Sequence, residues 1–444
     1  SNELDVMIGP RSALFTPFSN LGIIIIDEEH ETSYKSETLP RYHARETAIQ
    51  RAKMAGASVV LGSATPSLDS YYHAKKGEYR LLEMTERIEE KPLPACEIID
   101  LREELKQGNR SILSERLQEL MADRLKAKQQ IMLFINRRGM AGFVSCRGCG
   151  HVLKCPHCDV SLSQHNNGRM VCHYCGHEEP VPQVCPECGS KYIGGFKAGT
   201  QKIEEIVKKK FPEARVLRMD FDTTRNKTGY EKILSSFANQ EADILIGTQM
   251  IVKGHDFPNV TLVGVLAADL SLFVSEFHAA ERTFQLLTQA AGRAGRGRLP
   301  GEVVIQTYHP EHYCIELAAK QDYCGFYETE IACRKLMDYP PCGHMMAMLV
   351  ASKDEMTAML SAELLAKKVR QAKEKGKLPG LSVVGPANAA VAKVKDIYKK
   401  VIYFKHEDYG ELVKIKDVLE DFINSHREFA SVIIQFDFNP MNGF

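Results

Sequence analysis

Runs of apolar residues, and the breaks between them, divide the chain before any residue needs a role. Leu21 to Ile26 reads L-G-I-I-I-I and stops at D-E-E-H. Four β-branched residues in a row predict a strand buried on both faces, in the middle of a parallel sheet covered by helices. The carboxyl end of such a strand is where open α/β sheets place ligand chemistry. Helical spacing from His43 to Met54, then a second apolar run from Ala57 to Leu61 leading into G-S-A-T-P-S, continue the alternation. Lys91 to Pro94 marks a boundary.

A second α/β block follows. Ser114 is placed to cap a helix with Leu117, Leu120, Met121 and Leu125 on one face, and Ile131 to Ile135 reads as a strand. The pattern resumes near Phe196. Thr200 is expected to cap a helix through Val207, with strands at Arg215 to Met219, Asp243 to Ile246 and Thr261 to Leu266, and a helix over Phe277 to Ala291. The cysteine-rich stretch between is an insertion separating neighbouring elements of one sheet. After Pro340-Pro341 come strands at Met345 to Ala351, Ser382 to Gly385, Lys400 to Lys405 and Ser431 to Phe436, with helices at Glu355 to Ala372 and Leu412 to Ser425. The expected units are 1–95; 96–145 with 189–310; the insertion 146–188; and 311–444, connecting helices followed by a small α+β domain.

Composition changes this picture little. At about 150 residues per domain, 444 residues suit about three domains. Lys plus Arg and Asp plus Glu both number 57, so contact with nucleic acid has to be local. No apolar run is long enough for a membrane span and the start lacks a signal-peptide pattern, so the cytoplasm is expected. The thirteen cysteines do change it. Eight form C-x-x-C pairs, Cys146/Cys149, Cys155/Cys158, Cys172/Cys175 and Cys185/Cys188, which reads as metal rather than disulfide. Four knuckles make two sulfur-saturated zinc sites of four cysteines each, structural because no ligand position is open. The gap between the middle knuckles favours nesting, outer four on one ion and inner four on the other, although spacing does not prove it. His151, His157, His173 and His177 are competing ligands.

The other candidates lie at element ends. Asp27 suits a Mg²⁺ held through its water shell, Glu28 the water that attacks a γ-phosphate, and His30 a relay from phosphate to nucleic acid. In T-Q-A-A-G-R-A-G-R-G, Arg293 and Arg296 are expected on one face of a helix end, able to neutralise charge on a transferring phosphate. G-T-Q-M-I-V-K-G-H-D-F-P offers glycines for close backbone approach, and Asp256 for a ribose. E-T-S-Y-K-S-E-T-L-P-R-Y interleaves aromatics with cations, as single-strand contacts require. No G-x-x-x-x-G-K-[ST] loop occurs in the sequence.

D-E-E-H, G-S-A-T-P-S, the Thr248 to Pro258 segment and Q-A-A-G-R-A-G-R resemble motifs II, III, V and VI of superfamily 2 helicases. With eight cysteines inserted after L-F-I-N-R-R-G and a terminal α+β domain, the chain resembles the PriA family of bacterial replication-restart helicases (primosomal protein N′) over essentially its whole length. The resemblance implies RecA-like helicase lobes, the first only partial, with an inserted two-zinc module. It also implies a DNA-dependent ATPase that unwinds DNA 3′ to 5′ at stalled or collapsed forks and initiates primosome assembly. By position, Asp27, Glu28, Arg293 and Arg296 would be catalytic, and His30, Gly254, Asp256 and Gln289 would bind the nucleotide. Tyr34, Lys35, Arg41 and Tyr42 would couple DNA to ATP. The family pairs the cysteines in the nested way. ATP, Mg²⁺ and two Zn²⁺ are the implied cofactors. Branched and single-stranded DNA, single-strand-binding protein and helicase-loading proteins are the implied partners of an expected monomer. Because family members carry a phosphate-loop lysine ahead of D-E-E-H, the chain is expected to be an N-terminally truncated fragment, inactive alone. The rival reading is a zinc-ribbon binding module that uses helicase-like folds only as scaffold.

Overall fold

The computed structural model describes residues 4–38, 40–84, 92–135, 143–158, 160–165, 168–195, 199–220, 223–224, 227–251, 256–274 and 276–441. The first region holds β1 (Ile23–Ile26), α1 (Ala44–Ala55), β2 (Ser58–Leu61) and α2 (Leu68–Lys75). β1 and β2 pair in parallel as a sheet of two strands. The expected burial of β1 on both faces is therefore corrected: Ile26 is buried, but Ile23 and Ile25 are 52% and 68% exposed. α1 packs on one side of this pair, and alternate side chains of a strand point the other way.

The second region opens with β3 (Ala95–Asp100), α3 (Leu101–Lys106), α4 (Glu115–Lys126) and β4 (Gln130–Phe134). Ser114 caps α4 as expected, its hydroxyl accepting from the Leu117 amide at 3.2 Å. Among its described residues the cysteine segment contains only short strands: β5 (Val144–Cys146), β6 (Ser163–Gln164), β7 (Arg169–Val171), β8 (Glu178–Pro180) and β9 (Ile193–Gly195). β5 and β9 pair antiparallel and close the root of the insertion, while β6, β7 and β8 form a small sheet inside it. Then follow α5 (Thr200–Lys210), β10 (Val216–Met219), α6 (Lys227–Ala238), β11 (Ile244–Gly247), β12 (Val260–Val265), α7 (Asp269–Leu272), α8 (Ala279–Ala291) and β13 (Glu302–Thr307).

Six parallel strands run in the order β10-β11-β4-β12-β13-β3. β4, β11 and β12 are buried at every residue, the outcome that unbroken apolar runs predict when helices cover both faces. One face packs Phe134, Phe237 and Phe284, the other Leu117, Met121 and Ile203. β4 and β10, consecutive across the insertion, are not adjacent: β11 lies between them. β3, α6 and β13 were not anticipated. Thr200 does not cap α5. Gly199 holds that position, and Thr200 Oγ1 instead donates to Asp220 Oδ2 at 2.6 Å, tying the helix start to the end of β10.

α9 (Tyr313–Ala319) and α10 (Tyr323–Leu336) lead into β14 (His344–Ser352), α11 (Glu355–Glu374), β15 (Ser382–Val394), β16 (Ile397–His406), α12 (Tyr409–Ser425) and β17 (Ile433–Phe438). The four strands form an antiparallel sheet in the order β15-β16-β14-β17. α11 and α12 cover one face over Met346, Met348, Ile402 and Phe404. The other face, with Met345, Ala347, Val401 and Tyr403, meets the cysteine segment. Burial on both sides explains why β14 reads M-M-A-M-L-V without alternation. Among the described residues no helix is long and apolar enough to cross a membrane.

Candidate nucleotide cleft and metal centres

β1 ends with Asp27 and Glu28 exposed. Asp27 Oδ1 accepts the Glu28 amide at 2.9 Å, and Glu28 has a left-handed backbone, φ 46°. That conformation costs a non-glycine residue about 1 kcal/mol or more and persists only where the surroundings impose it. Among the described residues no lysine or arginine pairs with Asp27, so its carboxylate is open to a cation. Glu29 turns the other way and is buried. Its Oε1 accepts the Ser67 amide at 2.6 Å, and its Oε2 accepts Ser70 Oγ at 2.8 Å, Ser67 Oγ at 3.1 Å and Arg45 at 3.3 Å. Arg45 also binds Asp69. Glu29 and Arg45 were missed from sequence, although three adjacent carboxylates cannot all face one cleft.

His30 is buried between three motifs. Its Nδ1 lies 2.6 Å from Ser63 Oγ and 3.5 Å from Glu28 Oε2, and its Nε2 lies 2.8 Å from the Gln289 side-chain amide nitrogen. With that amide donating to Nε2, the imidazole proton sits on Nδ1 and is donated to Ser63. A second tie runs parallel to it. The Leu68 amide donates to Glu281 Oε1 at 2.8 Å, and Arg334 holds Glu281 Oε2 at 2.8 Å and Glu330 Oε1 at 3.0 Å. Burial pushes the Glu281 carboxyl up, but Arg334 and His278 outweigh it and hold the group well below its ordinary range. Glu281, Gln285 and Gln289, four apart, make a polar stripe along α8. That spacing was the unused signal for Glu281.

The expectation that Arg293 and Arg296 share a helical face is corrected. α8 ends at Ala291, and Gly292 is its cap. Gly295 turns the chain with φ 69°, its amide donating to Val260 O at 3.0 Å, and a Cβ there would strike the Gly301 backbone. Arg293 is half-buried. Burial and the adjacent Arg296 lower its guanidinium to about 10, while Glu28 and Asp256 pull it back up. Arg296 Nε donates to Gly292 O at 2.8 Å, and its terminal nitrogen lies 3.9 Å from Asp256 Oδ1. Gly254 lies outside the described residues.

The aromatic and cationic loop after D-E-E-H lies against the C-terminal domain. Lys35 Nζ is 2.8 Å from Asp437 Oδ1 and donates to Phe438 O at 2.9 Å. Arg41 reaches Asp437 Oδ2 at 3.3 Å and Gln435 Oε1 at 3.1 Å. Tyr34 donates to Asp27 O at 2.7 Å, and Tyr42 meets Phe15 edge-on at 5.1 Å. Both cations thus already hold a carboxylate.

The cysteines fall into two groups, Cys146, Cys149, Cys185 and Cys188, and Cys155, Cys158, Cys172 and Cys175, with all sulfurs of a group within 4.8 Å of one another. These are the nested sets. In each group backbone amides point at sulfur, Gly148 N at 3.3 Å from Cys146 Sγ and His157 N at 3.5 Å from Cys155 Sγ. Four sulfurs per group, with no histidine among them, are compatible with two tetrahedral structural zinc ions.

Comparison with known proteins fits this geometry. Residues 155–180 match the family described as the PriA DNA helicase Cys-rich region domain, residues 193–298 the helicase conserved C-terminal domain, and residues 335–441 the primosomal protein N C-terminal domain. The replication restart protein PriA of Bacillus subtilis is 48% identical over 99% of this chain and 54% of its own length. Its counterpart in Synechocystis is 43% identical over 98% of the chain and 53% of its own length. The chain therefore spans about half the length of these curated relatives. Over the part of those proteins that it spans, the chain belongs to the PriA family of replication restart proteins.

Proposed function

We propose that this chain works within a DNA-dependent ATPase and 3′–5′ DNA helicase that remodels stalled or collapsed replication forks and initiates primosome assembly in the cytoplasm. The domain limits inferred from sequence are its working units. The observation that carries the reading is the His30–Gln289 contact, which joins the acidic strand end to the helix that leads into Arg293. Asp27 would hold Mg²⁺ through water, and the ion when bound supplies charge neutralisation on a nucleotide's phosphates. Glu28 would orient the attacking water and take its proton. Arg293 and Arg296 would face the γ-phosphate, with Gln289, Gly254 and Asp256 beside the nucleotide. His30, hydrogen-bonded on both ring nitrogens, would carry a change at Glu28 to Gln289 and Ser63.

Tyr34, Lys35, Arg41 and Tyr42 would couple DNA to this cleft, with phosphates competing against Asp437 for the two cations. Branched and single-stranded DNA, single-strand-binding protein and helicase loaders are the partners this reading assigns, to a monomer. The test is fork-stimulated ATP hydrolysis by the natural-length gene product and its Glu28→Gln form. Turnover by the former and its near-complete loss in the latter are expected. No hydrolysis by the intact protein, or unchanged turnover in Glu28→Gln, overturns the motor in favour of a zinc-ribbon binding module.

A further inference from the structure

The two cysteine groups have equal ligand sets but unequal cover. All four inner cysteines belong to an apolar core with Tyr174, Met345 and Tyr403, Cys155 and Cys172 within it and Cys158 and Cys175 packed against it. In the outer group Cys146 and Cys185 are buried and Cys149 is half-buried, but Cys188 is exposed. Its neighbours Pro186, Glu187 and Gly189 are exposed as well, so the tip of the second outer knuckle faces solvent. A zinc-binding cysteine is held as the thiolate, the form that oxidants attack, and attack follows exposure. Cys146 Sγ lies 3.6 Å from Cys188 Sγ, which gives an oxidised Cys188 a second thiol within reach.

We propose that Cys188 is a site of oxidation by hydrogen peroxide that unloads the outer group alone, an inference that rests on the zinc reading of that group. The Cys188 thiolate attacks one peroxide oxygen, the O–O bond breaks, and hydroxide leaves, so that Cys188 carries a sulfenic acid. The Cys146 thiolate then attacks that sulfur, the S–O bond breaks, and a second hydroxide leaves as the disulfide forms. Two thiolates have together given up two electrons, and one hydrogen peroxide has become two hydroxides. With two of its four sulfurs joined, the outer group no longer retains zinc. The turn at Gly150, seated against Tyr308 and His309, then loosens. The inner group keeps its core with β14 and β16.

The zinc-loaded chain is treated with hydrogen peroxide beside a chromogenic zinc chelator, and its remaining thiols are then alkylated and mapped by mass spectrometry. The first ion should leave about tenfold or more faster than the second. At that stage a disulfide should join Cys146 to Cys188, with the inner cysteines all alkylated. Amide exchange should quicken from Val144 to His151 and stay slow along β14 and β16. Cys188→His keeps a zinc ligand but removes the thiol, so its outer ion should leave about tenfold or more slower than that of the unaltered chain. Should Cys188→His hold a single ion, the order of oxidation in the unaltered chain decides alone. Release of both ions together, a first disulfide that excludes Cys188, or equal release from Cys188→His overturns the proposal. Two ions that peroxide does not dislodge overturn it as well and leave the zinc reading standing, whereas a chain with no outer ion before treatment overturns both.

Discussion

The outer cysteine group lies against the six-stranded sheet and the inner group against the four-stranded one. Around the outer group, Gly150 turns with φ 83°, and an added Cβ would sit 2.6 Å from Tyr308 O and 3.3 Å from His309 Nε2. His309 is fixed in turn by buried Asp269, whose Oδ1 is 2.8 Å from His309 Nδ1, and by the Phe273 ring at 4.6 Å. Around the inner group, Cys155 and Cys172 share a core with Tyr174, Tyr339, Met345, Val401 and Tyr403. Tyr174 stacks on Tyr403 at 4.9 Å, Gly176 approaches Ala387, and His173 Nδ1 is 3.4 Å from Asn388 O. Nearly identical knuckles thus serve different neighbours. The outer group fastens the insertion to the helicase sheet, and the inner group fastens the C-terminal domain to the insertion.

Removing one ligand from each group should break this comparison most sharply. Cys155→Ser is expected to lower zinc from two ions to one by elemental analysis and to speed amide exchange along β14 and β16. Binding energy of about 10 kcal/mol per structural ion makes this the largest effect. Cys149→Ser should lose one ion as well but leave β14 and β16 protected. Equal exchange in both variants would show that the insertion folds as one unit. Next in size, Tyr403→Ala removes the ring stacked on Tyr174 and should cost about 3 kcal/mol in urea denaturation while both ions remain bound. Smallest, His309→Ala should cost about 1–2 kcal/mol and loosen only the outer knuckles, seen as faster exchange at Cys146 to His151. A matching response around Tyr403 would erase the distinction between the two supports.

Sequence spacing carried the knuckles themselves and most strands because both depend on local periodicity, whereas it only favoured the nested partition that the sulfur positions show. β4, β11 and β12 were legible because burial on both faces leaves an unbroken apolar run. β3 was not: A-C-E-I-I-D at a sheet edge is only partly buried and carries acids within it. The same limit hides the docking of the zinc groups, since Tyr174, Tyr403 and Ala387 belong to separate segments that only tertiary packing brings together. In the cleft, Asp27, Glu28 and His30 were legible from one strand end. Glu281, Arg334 and Asp437 were not, because a buried charge is justified by a partner far along the chain. The two arginines were legible as residues but not in their geometry, because Gly292 and Gly295 end the helix before them.

The proposed ATPase is tested at the cleft itself. The most direct measurement is single-turnover ATP hydrolysis, with a forked DNA, by the natural-length protein carrying Arg293→Ala. If Arg293 faces the γ-phosphate opposite Glu28, the rate constant should fall by about 10³ or more with nucleotide affinity changed little. An unchanged rate constant, or a loss that appears only as weaker ATP binding, would contradict the assignment of this cleft.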